Sequence, residues 1–396
     1  MIKFALKNMA VKKVQCILIV VSIVISTSIA VLAYNVSSQV SDGITSNAGY
    51  YSVIIGPAGS KTQLAMNTMY FSDEPLGTIP YSVAMNLMQD GTRVNTVIPF
   101  AMADNYNGSK VVGTTSLYLK DKSIQCGEMM NDSSTMQAVV GYNVAKNNGL
   151  SIGDIIYTSH SATSLDTHKK GITVCGILNQ SYSSFDNVVF TQVRTLWEMH
   201  EHEDEEEGNS HEATVCAVIV NTKNPAYAMQ IVNEYNGKSF TDAHGDAYST
   251  QAIEPMDAIR EVLNDTDDTK YIVFVLCGII LLMNIIVISI ITLLNMYHSS
   301  KEISLMRLIG ISMKKINLLY LIQNGIIGIV SIVLAFGVSR LCMGMMNDYV
   351  SSMGVVLNMG KVYSSEIFIL FAVFLISVIP TLIWTLVMSK RDAMEG

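Results

Sequence analysis

The sequence predicts an integral membrane protein that has four transmembrane α-helices and a mixed α/β extracytoplasmic domain with a β-rich insertion. Half of the 396 residues are hydrophobic, and only 15% are charged. The apolar residues are concentrated in four runs, each long enough for a bilayer core, which needs roughly 20 residues of helix. Between the first and second runs lies a long polar segment in which strand-like and helix-like stretches alternate.

Taken in order, the chain divides at the apolar runs. We predict a cytoplasmic amphipathic segment (1–14), a first membrane helix (15–34), the extracytoplasmic domain (35–268, with its insertion at about 112–190), a second membrane helix (271–297), a cytoplasmic coupling helix (298–315), a third membrane helix (316–339), an outer loop (340–366), a fourth membrane helix (367–389) and a cytoplasmic tail (390–396). A cleaved signal peptide is the alternative for the first run, but its length favours a retained anchor.

The basic residues indicate the orientation. They cluster in the leader, in the loop after the second apolar run and in the tail: Lys3, Lys7, Lys12, Lys13, Lys301, Arg307, Lys314, Lys315, Lys390 and Arg391. The positive-inside rule places these three segments in the cytoplasm. We therefore expect a multi-pass protein of the cell membrane with both termini cytoplasmic. The predicted spans contain no Asp, Glu, Lys, Arg or His, which disfavours an ion pathway through them.

The charge of the outer segment excludes one class of partner. Residues 35–268 hold 12 Lys and Arg against 28 Asp and Glu, a net charge of −16, whereas the rest of the chain carries +8. So acidic a domain argues against nucleic acid as a partner. The six cysteines are scattered and form no C-x-x-C motif, so the sequence predicts no disulfide framework.

A histidine-rich acidic stretch, "MHEHEDEEEGNSHEA", lies at 199–213. One interpretation is a solvated acidic loop. The alternative is a metal site in which His200, His202 and His211 bind zinc, because imidazole and carboxylate ligands suit that ion. We expect His160, His168 and His244, which stand alone in polar stretches, to be surface histidines. Nothing in the sequence predicts a catalytic residue.

Two other stretches of the sequence allow both a ligand-binding and a purely structural interpretation. The outer loop carries Met343, Met345, Met346, Met353 and Met359, which suggest either a Cu(I) site or flexible apolar filler.

"GPAGSKT" at 56–62 looks like a phosphate-binding loop, but only two residues separate Gly56 from Gly59. We expect a strand-to-helix turn there, with Ser60 capping the helix that follows.

The loop after the second apolar run predicts an amphipathic helix. Ile303, Met306, Ile309 and Met313 fall at helical spacing, among basic side chains. An element of this kind at the inner surface of the membrane can lie on lipid or dock into a partner protein.

The residues of this loop carry a resemblance to a known family. Lys301-Glu302-Ile303 followed by Leu305-Met306-Arg307-Leu308-Ile309-Gly310 resembles the signature of FtsX/MacB-like permeases of ABC transporters. "VVGYNVAKNNGLSIGDIIY" and "ITVCGIL" are similar to outer-domain segments of the same family. In two places the chain departs from the family pattern: Asn324 stands where a Glu is common, and the tail lacks a proline.

The resemblance implies a non-catalytic permease subunit that works with a separate cytoplasmic ABC ATPase, since the chain has no complete Walker motif. Lys301, Glu302, Arg307 and Gly310 would then couple the chain to that ATPase. A homodimer, or pairing with a similar permease, and an extracytoplasmic binding protein are the other partners implied. Transport is the first function implied, and force transmission to an outer partner such as a wall hydrolase is the alternative. "GPAGSKTQL" (56–64), "PLGTIPY" (75–81) and "IPFAMADNY" (98–106) resemble one branch of the family more closely. That branch is sometimes linked to zinc uptake, which makes a zinc-linked substrate an expectation of the resemblance.

Overall fold

The computed structural model describes residues 2–48, 51–160, 168–207, 213–241, 247–298, 300–351 and 355–392. These residues form two compact units. The first contains Met1–Gln39, Asp267–Met346 and Asn358–Gly396, and the second contains Val40–Thr266 and Asn347–Leu357. We refer to them as the helical unit and the α/β unit.

Most strands of the α/β unit belong to one mixed sheet. Thirteen strands occur among the described residues: β1 (Val53–Pro57), β2 (Ile79–Pro80), β3 (Val94–Tyr106), β4 (Ser109–Thr114), β5 (Ile124–Gly127), β6 (Gln137–Val140), β7 (Ile155–Ile156), β8 (Ile172–Leu178), β9 (Val189–Gln192), β10 (Thr214–Val215), β11 (Ala217–Thr222), β12 (Ser239–Thr241) and β13 (Ala247–Ile253). The sheet order is β12-β13-β1-β11-β3-β4-β9-β6-β8-β5, with β7 paired to β8, while β2 and β10 form a separate pair. The β4–β9 and β6–β8 pairs are parallel, and the other pairs are antiparallel.

Eleven α-helices occur among the described residues: α1 (Ile2–Val11), α2 (Lys13–Ala48), α3 (Lys61–Tyr70), α4 (Ser82–Gln89), α5 (Tyr142–Asn148), α6 (Val193–Glu207), α7 (Pro225–Tyr235), α8 (Pro255–His298), α9 (Ser300–Leu308), α10 (Met313–Ser351) and α11 (Ser364–Asp392). Local sequence explains several of their ends. Ser60 caps α3 by accepting a hydrogen bond from the backbone N–H of Gln63 at 3.2 Å, as expected. Gly149 ends α5 with a φ of 66°.

The core of the α/β unit consists of two buried clusters, which involve different strands of the sheet. One buried cluster includes Val53, Ile55 and Val218 with residues of α4 and α7. A second cluster includes Val111, Val140 and Val189 with residues of α5 and α6. The predicted insertion at about 112–190 contains β5 to β9, and these strands extend the same sheet through the β4–β9 pair. The segment is β-rich and shares the sheet of the rest of the unit.

The stretch at 56–62 forms the turn between β1 and α3, where the chain packs too closely to leave room for a side chain. A Cβ added at Gly56 would lie 2.5 Å from Leu64 Cδ1. A side chain at Gly56 would therefore have to displace the buried Leu64 side chain and would lie close to the Cys216 carbonyl as well.

Three helices of the helical unit are long and apolar enough to cross a membrane, among the residues that the structure describes. Their candidate spans are Lys13–Ile44, Met313–Asn347 and Ser364–Ile383. The second predicted span, 271–297, lies in α8, where the apolar stretch found is the shorter Val275–Val287. The structure thus supports an apolar helical membrane part, with three candidate spans where the sequence predicted four.

Two of these helices extend beyond the predicted spans and bring charged residues into the helical unit. Arg340 lies in α10 and Glu366 in α11, and they form a buried ion pair. Asn35 of α2 also donates a hydrogen bond to Glu366. In the same unit, Asn324 donates a hydrogen bond from its side chain to Thr381 Oγ1, which links α10 to α11. The predicted spans contain no charged residue, as expected. The helices are longer than the predicted spans, and their additional residues include Arg340 and Glu366.

Candidate functional site

A buried carboxylate near the end of β3 is the centre of the candidate site. The register between β3 and β4 shifts between Met102 and Asp104, so the alternation of side chains along β3 is broken there. The Asp104 side chain is fully buried. Thr158 donates a hydrogen bond from Oγ1 to Asp104 Oδ2 at 2.9 Å, which fixes the orientation of the carboxylate.

Two histidines reach Asp104 from a segment that pairs with the end of β3. Asn105 and Ser159 exchange backbone hydrogen bonds of 2.7 and 2.9 Å, and His168 donates its backbone N–H to the Thr158 carbonyl at 2.9 Å. These backbone pairings bring His160 and His168 next to each other beside the carboxylate, with their ring centroids 4.7 Å apart. His168 has 3% of its side chain exposed, whereas His160 has 51% exposed.

The third histidine, His200, comes from α6. This helix can approach the sheet closely because β4 carries Gly113, where a Cβ would lie 2.6 Å from Leu196 Cδ1. Leu196 and Met199 are buried in the core beneath α6. With this face of α6 held against the sheet, the imidazole of His200 reaches Asp104.

The four side chains form one compact group of possible ligands, which we call the histidine cluster: Asp104, His160, His168 and His200. One ligand atom from each lies within 4.8 Å of those of the others. The Nε2 atoms of His168 and His200 lie 3.2 Å from Asp104 Oδ2 and Oδ1, respectively, and His160 Nδ1 lies 3.8 Å from Oδ1. The imidazole ring centroids are 4.7 to 5.1 Å apart.

The electrostatics of the cluster favour an ionised carboxylate. Burial alone would raise the pKa of Asp104, but the neighbouring His168 and His200 imidazoles outweigh burial and hold the pKa well below its usual range. The contact from His200 is short but poorly aligned. Its Nε2 atom is buried and has no hydrogen bond of acceptable geometry, although it lies 3.2 Å from Asp104.

An open cleft of about 430 Å³ leads to the cluster from one side. Asp104 and His160 lie on its wall, together with Glu74 and Lys110, which form an ion pair at its edge. Solvent and small ions therefore have a route to the cluster on the side of His160.

A second candidate region lies in the helical unit, around the short helix α9. Ile303 and Met306 of α9 pack with Met313, Ile316 and Tyr320 at the start of α10, and Ile303 is buried there. This packing holds one face of α9 against α10. The helix ends at Leu308, and Gly310 follows with a φ of 87°, in the left-handed region that glycine adopts without strain.

The other face of α9 presents apolar side chains to the surroundings. Leu305, Leu308 and Ile309 are 59%, 83% and 80% exposed. We call these three residues the α9 patch. The prediction that Ile309 shares the packed face with Ile303 is wrong, because the helix ends one residue earlier and the chain turns at Gly310. Exposed apolar side chains of this size next to one another indicate an interaction surface.

The matches to protein-family models decide the family. The model of the MacB-like periplasmic core domain matches residues 16–235, and the model of the FtsX-like permease C-terminal region matches residues 273–392. The chain belongs to the FtsX/MacB-like family of ABC transporter permeases. Between them the two models cover most of this permease, including the histidine cluster in the first and the α9 patch in the second.

Other comparisons add little to the family assignment. The permease is similar to the crystal structure of the periplasmic region of MacB from Actinobacillus actinomycetemcomitans, with 10% sequence identity and a TM-score of 0.35. That similarity covers 55% of this chain and 94% of the other. Among curated proteins, no sequence matches the permease significantly.

Of the three histidines that the sequence suggested as zinc ligands, the structure places one in the histidine cluster. His200 lies in the histidine cluster, whereas the side chain of His202 and the whole of His211 lie outside the described residues. The interpretation of His168 as a surface histidine is wrong, because its side chain is buried against Asp104. His160 is exposed, as expected, but its imidazole also lies 3.8 Å from Asp104. His244 lies outside the described residues. The sequence did not identify Asp104 as a ligand, although it is an acidic residue near the end of a long apolar strand and belongs to the stretch 98–106 that resembles one branch of the family.

The predicted coupling residues all lie in or beside α9. Arg307 is exposed on this helix and Gly310 follows it, whereas the side chains of Lys301 and Glu302 lie outside those described. In the methionine-rich segment, Met343 is buried but Met345 is 85% exposed, so these two side chains do not share one environment.

Proposed function

We propose that this permease is the transmembrane subunit of an ABC transporter, and that ATP hydrolysis by a separate cytoplasmic ATPase moves its extracytoplasmic domain. The observation that carries the proposal is the α9 patch. The patch lies in the FtsX-like part of the chain, beside a helix end whose shape depends on Gly310. One face of α9 is anchored by Ile303 and Met306, and the opposite face remains available to a partner.

The proposed arrangement has four membrane spans, the second of them within α8, and cytoplasmic termini. The distribution of basic residues supports the orientation, since the α9 region and both chain ends are Lys- and Arg-rich. The chain passes from the α/β unit into the helical unit within α8, because the boundary at Thr266 and Asp267 falls inside that helix. We propose that tilting of α8 carries the ATPase movement outwards, in a dimer of two such permeases. An extracytoplasmic binding protein would be a further partner.

ATP hydrolysis by the purified complex tests the docking role of the α9 patch. The full-length permease would be purified with its ATPase partner in lipid nanodiscs, and vanadate-sensitive ATP hydrolysis measured per mole of permease. We expect Leu308→Glu and Ile309→Glu to remove the ATPase from the complex and abolish the associated hydrolysis. Met229→Glu is the matched control, because Met229 is 63% exposed on α7 in the α/β unit. Unchanged hydrolysis in both α9 variants would refute docking at this patch.

Force transmission without transport is the second candidate function. Membership of the FtsX/MacB-like family is compatible with both functions. The size of the outer segment, residues 35–268, favours transport, because a domain this large offers room for a substrate or a binding protein. The two candidates differ in one measurable respect. Transport predicts movement of a substrate across proteoliposomes by the permease and ATPase alone, whereas force transmission predicts ATP-dependent activation of an added extracytoplasmic enzyme.

A further inference from the structure

We propose that the α/β unit binds a zinc ion at the histidine cluster, with Asp104, His160, His168 and His200 as its ligands. The sequence suggested a metal site in the acidic stretch at 199–213. The geometry favours a different set of ligands that shares only His200 with that stretch. The proposal rests on the positions of these side chains in the α/β unit and does not depend on the proposed transport function.

The distances match those of a tetrahedral zinc site. Zinc bonds of about 2.0 to 2.1 Å to nitrogen and oxygen in a tetrahedron place neighbouring ligand atoms roughly 3.3 Å apart. In the cluster, the Nε2 atoms of His168 and His200 lie 3.3 and 3.2 Å from Asp104 Oδ1, and His160 Nδ1 lies 3.8 Å from the same oxygen. The four ligand atoms lie within 4.8 Å of one another, so the more distant of them have to draw together to reach zinc distances.

The pairing of His200 with Asp104 also favours a metal ion. The Nε2 atom of His200 is buried beside a buried carboxylate oxygen, yet the two atoms form no well-aligned hydrogen bond. A buried polar atom without a well-aligned hydrogen bond is costly. A cation bound between the two atoms would accept a lone pair from each, and it would also compensate the charge of the fully buried Asp104 carboxylate.

The ligand types favour zinc over Mg²⁺, Ca²⁺ and Cu(I). Mg²⁺ and Ca²⁺ prefer sites made of oxygen atoms, and Cu(I) prefers sulfur ligands. Three imidazole nitrogens with one carboxylate oxygen form a set that suits Zn²⁺. Cys126, Cys175 and Cys216 of the same unit are free and do not belong to the cluster.

The hydrogen bond to Asp104 and the solvent access indicate a prearranged but exchangeable site. Thr158 holds Asp104 through a 2.9 Å hydrogen bond, and hydrogen bonds of this kind commonly orient carboxylates that bind metals. His160 is half exposed and lines the cleft, so an ion can enter and leave on that side. The negative charge of the outer segment would raise the local concentration of cations. An occupied site would connect the end of β3 to His160, to His168 and to α6.

Zinc binding to the full-length permease tests this inference. The detergent-purified protein would be stripped with a chelator, dialysed, and titrated with Zn²⁺ in competition with a fluorescent zinc indicator. We expect one site per chain, and a loss of affinity of at least about 100-fold in His168→Ala and His200→Ala, since removal of a ligand should exceed the effect of losing a second-shell group. Titration with Mg²⁺ and Ca²⁺ should show no comparable binding.

The double variant His202→Ala/His211→Ala is the matched control, because it removes two histidines of the acidic stretch and keeps the cluster. We expect it to bind Zn²⁺ as the parent does. Absorption of the Co²⁺-loaded parent provides a second measurement that does not depend on folding of the variants, and we expect the ligand-field bands of a tetrahedral site. Absence of a bound ion in the parent, or loss of the site in the double variant alone, would overturn the proposal.

Discussion

Arg340 and Glu366 form a buried ion pair between α10 and α11. Arg340 Nη2 lies 2.7 and 2.8 Å from the two carboxylate oxygens of Glu366. The Glu366 side chain is fully buried, and Asn35 of α2 donates a further hydrogen bond to it at 2.9 Å. One carboxylate therefore joins three helices of the helical unit.

Removing this carboxylate should destabilise the helical unit. In the Glu366→Ala variant, the largely buried Arg340 guanidinium loses its carboxylate partner, and the Asn35 amide keeps only its longer hydrogen bond to the Lys361 carbonyl, at 3.4 Å. Breaking a buried ion pair by removing one partner costs about 3–5 kcal/mol. We expect a markedly lower midpoint of thermal unfolding in detergent, measured by intrinsic fluorescence, for Glu366→Ala than for the parent.

The control for this prediction removes both charges. We expect the double variant Arg340→Met/Glu366→Leu to be less destabilised than Glu366→Ala, because an apolar replacement of both partners leaves no unpaired charge. If Glu366→Ala unfolds at the same temperature as the parent, the pair does not contribute to holding these helices together.

Thr158 should control zinc affinity without binding the ion. The variant Thr158→Val keeps the size of the side chain but removes the hydroxyl that donates to Asp104 Oδ2. We expect a loss of zinc affinity of about 10- to 100-fold, the range typical of second-shell partners, in the same competition titration. Thr158→Ser restores the donor and should bind as the parent does. Equal affinities of the Val and Ser variants would show that this hydrogen bond does not position Asp104.

The sequence was more informative about the elements than about the site. Long apolar runs and capping residues such as Ser60 and Gly149 are local signals, so the helices and the α/β character could be predicted from them. The histidine cluster could not, because Asp104 and His168 are 64 residues apart and meet only through the pairing of Asn105 with Ser159. Arg340 and Glu366 were missed for a related reason, since each lies one residue beyond a predicted span and the helices continue past it.

Gly310 should matter for coupling to the ATPase through its backbone. At a φ of 87°, an alanine would be strained by roughly 1–2 kcal/mol, and no side chain or backbone atom lies within 4 Å of the added Cβ. We expect Gly310→Ala to alter the turn after α9, displace Ile309, and lower the ATP hydrolysis of the purified complex.

Gly149→Ala provides a control with the same kind of strain in a different place. Gly149 has a φ of 66° at the end of α5, also with open space around its Cβ position. This variant should lose a similar amount of stability while keeping the ATP hydrolysis of the parent. If both variants reduce hydrolysis equally, the effect of Gly310→Ala is a general loss of stability and not a change at the α9 patch.

Thiol labelling should distinguish Cys126 from Cys216 and also test the orientation of the chain. Cys126 is exposed on β5. Cys216 is buried against β3, and burial raises the pKa of its thiol to about 11, so roughly one molecule in a thousand carries the reactive thiolate at pH 8. A membrane-impermeant maleimide would be applied to intact cells with a permeable outer layer, and the modified peptides identified by mass spectrometry. We expect the reagent to modify Cys126, and to modify Cys216 only after the protein is unfolded. The Cys126→Ser variant should lose the corresponding modified peptide. Labelling of Cys126 only after the membrane is lysed would place the α/β unit in the cytoplasm, and it would contradict the orientation inferred from the basic residues.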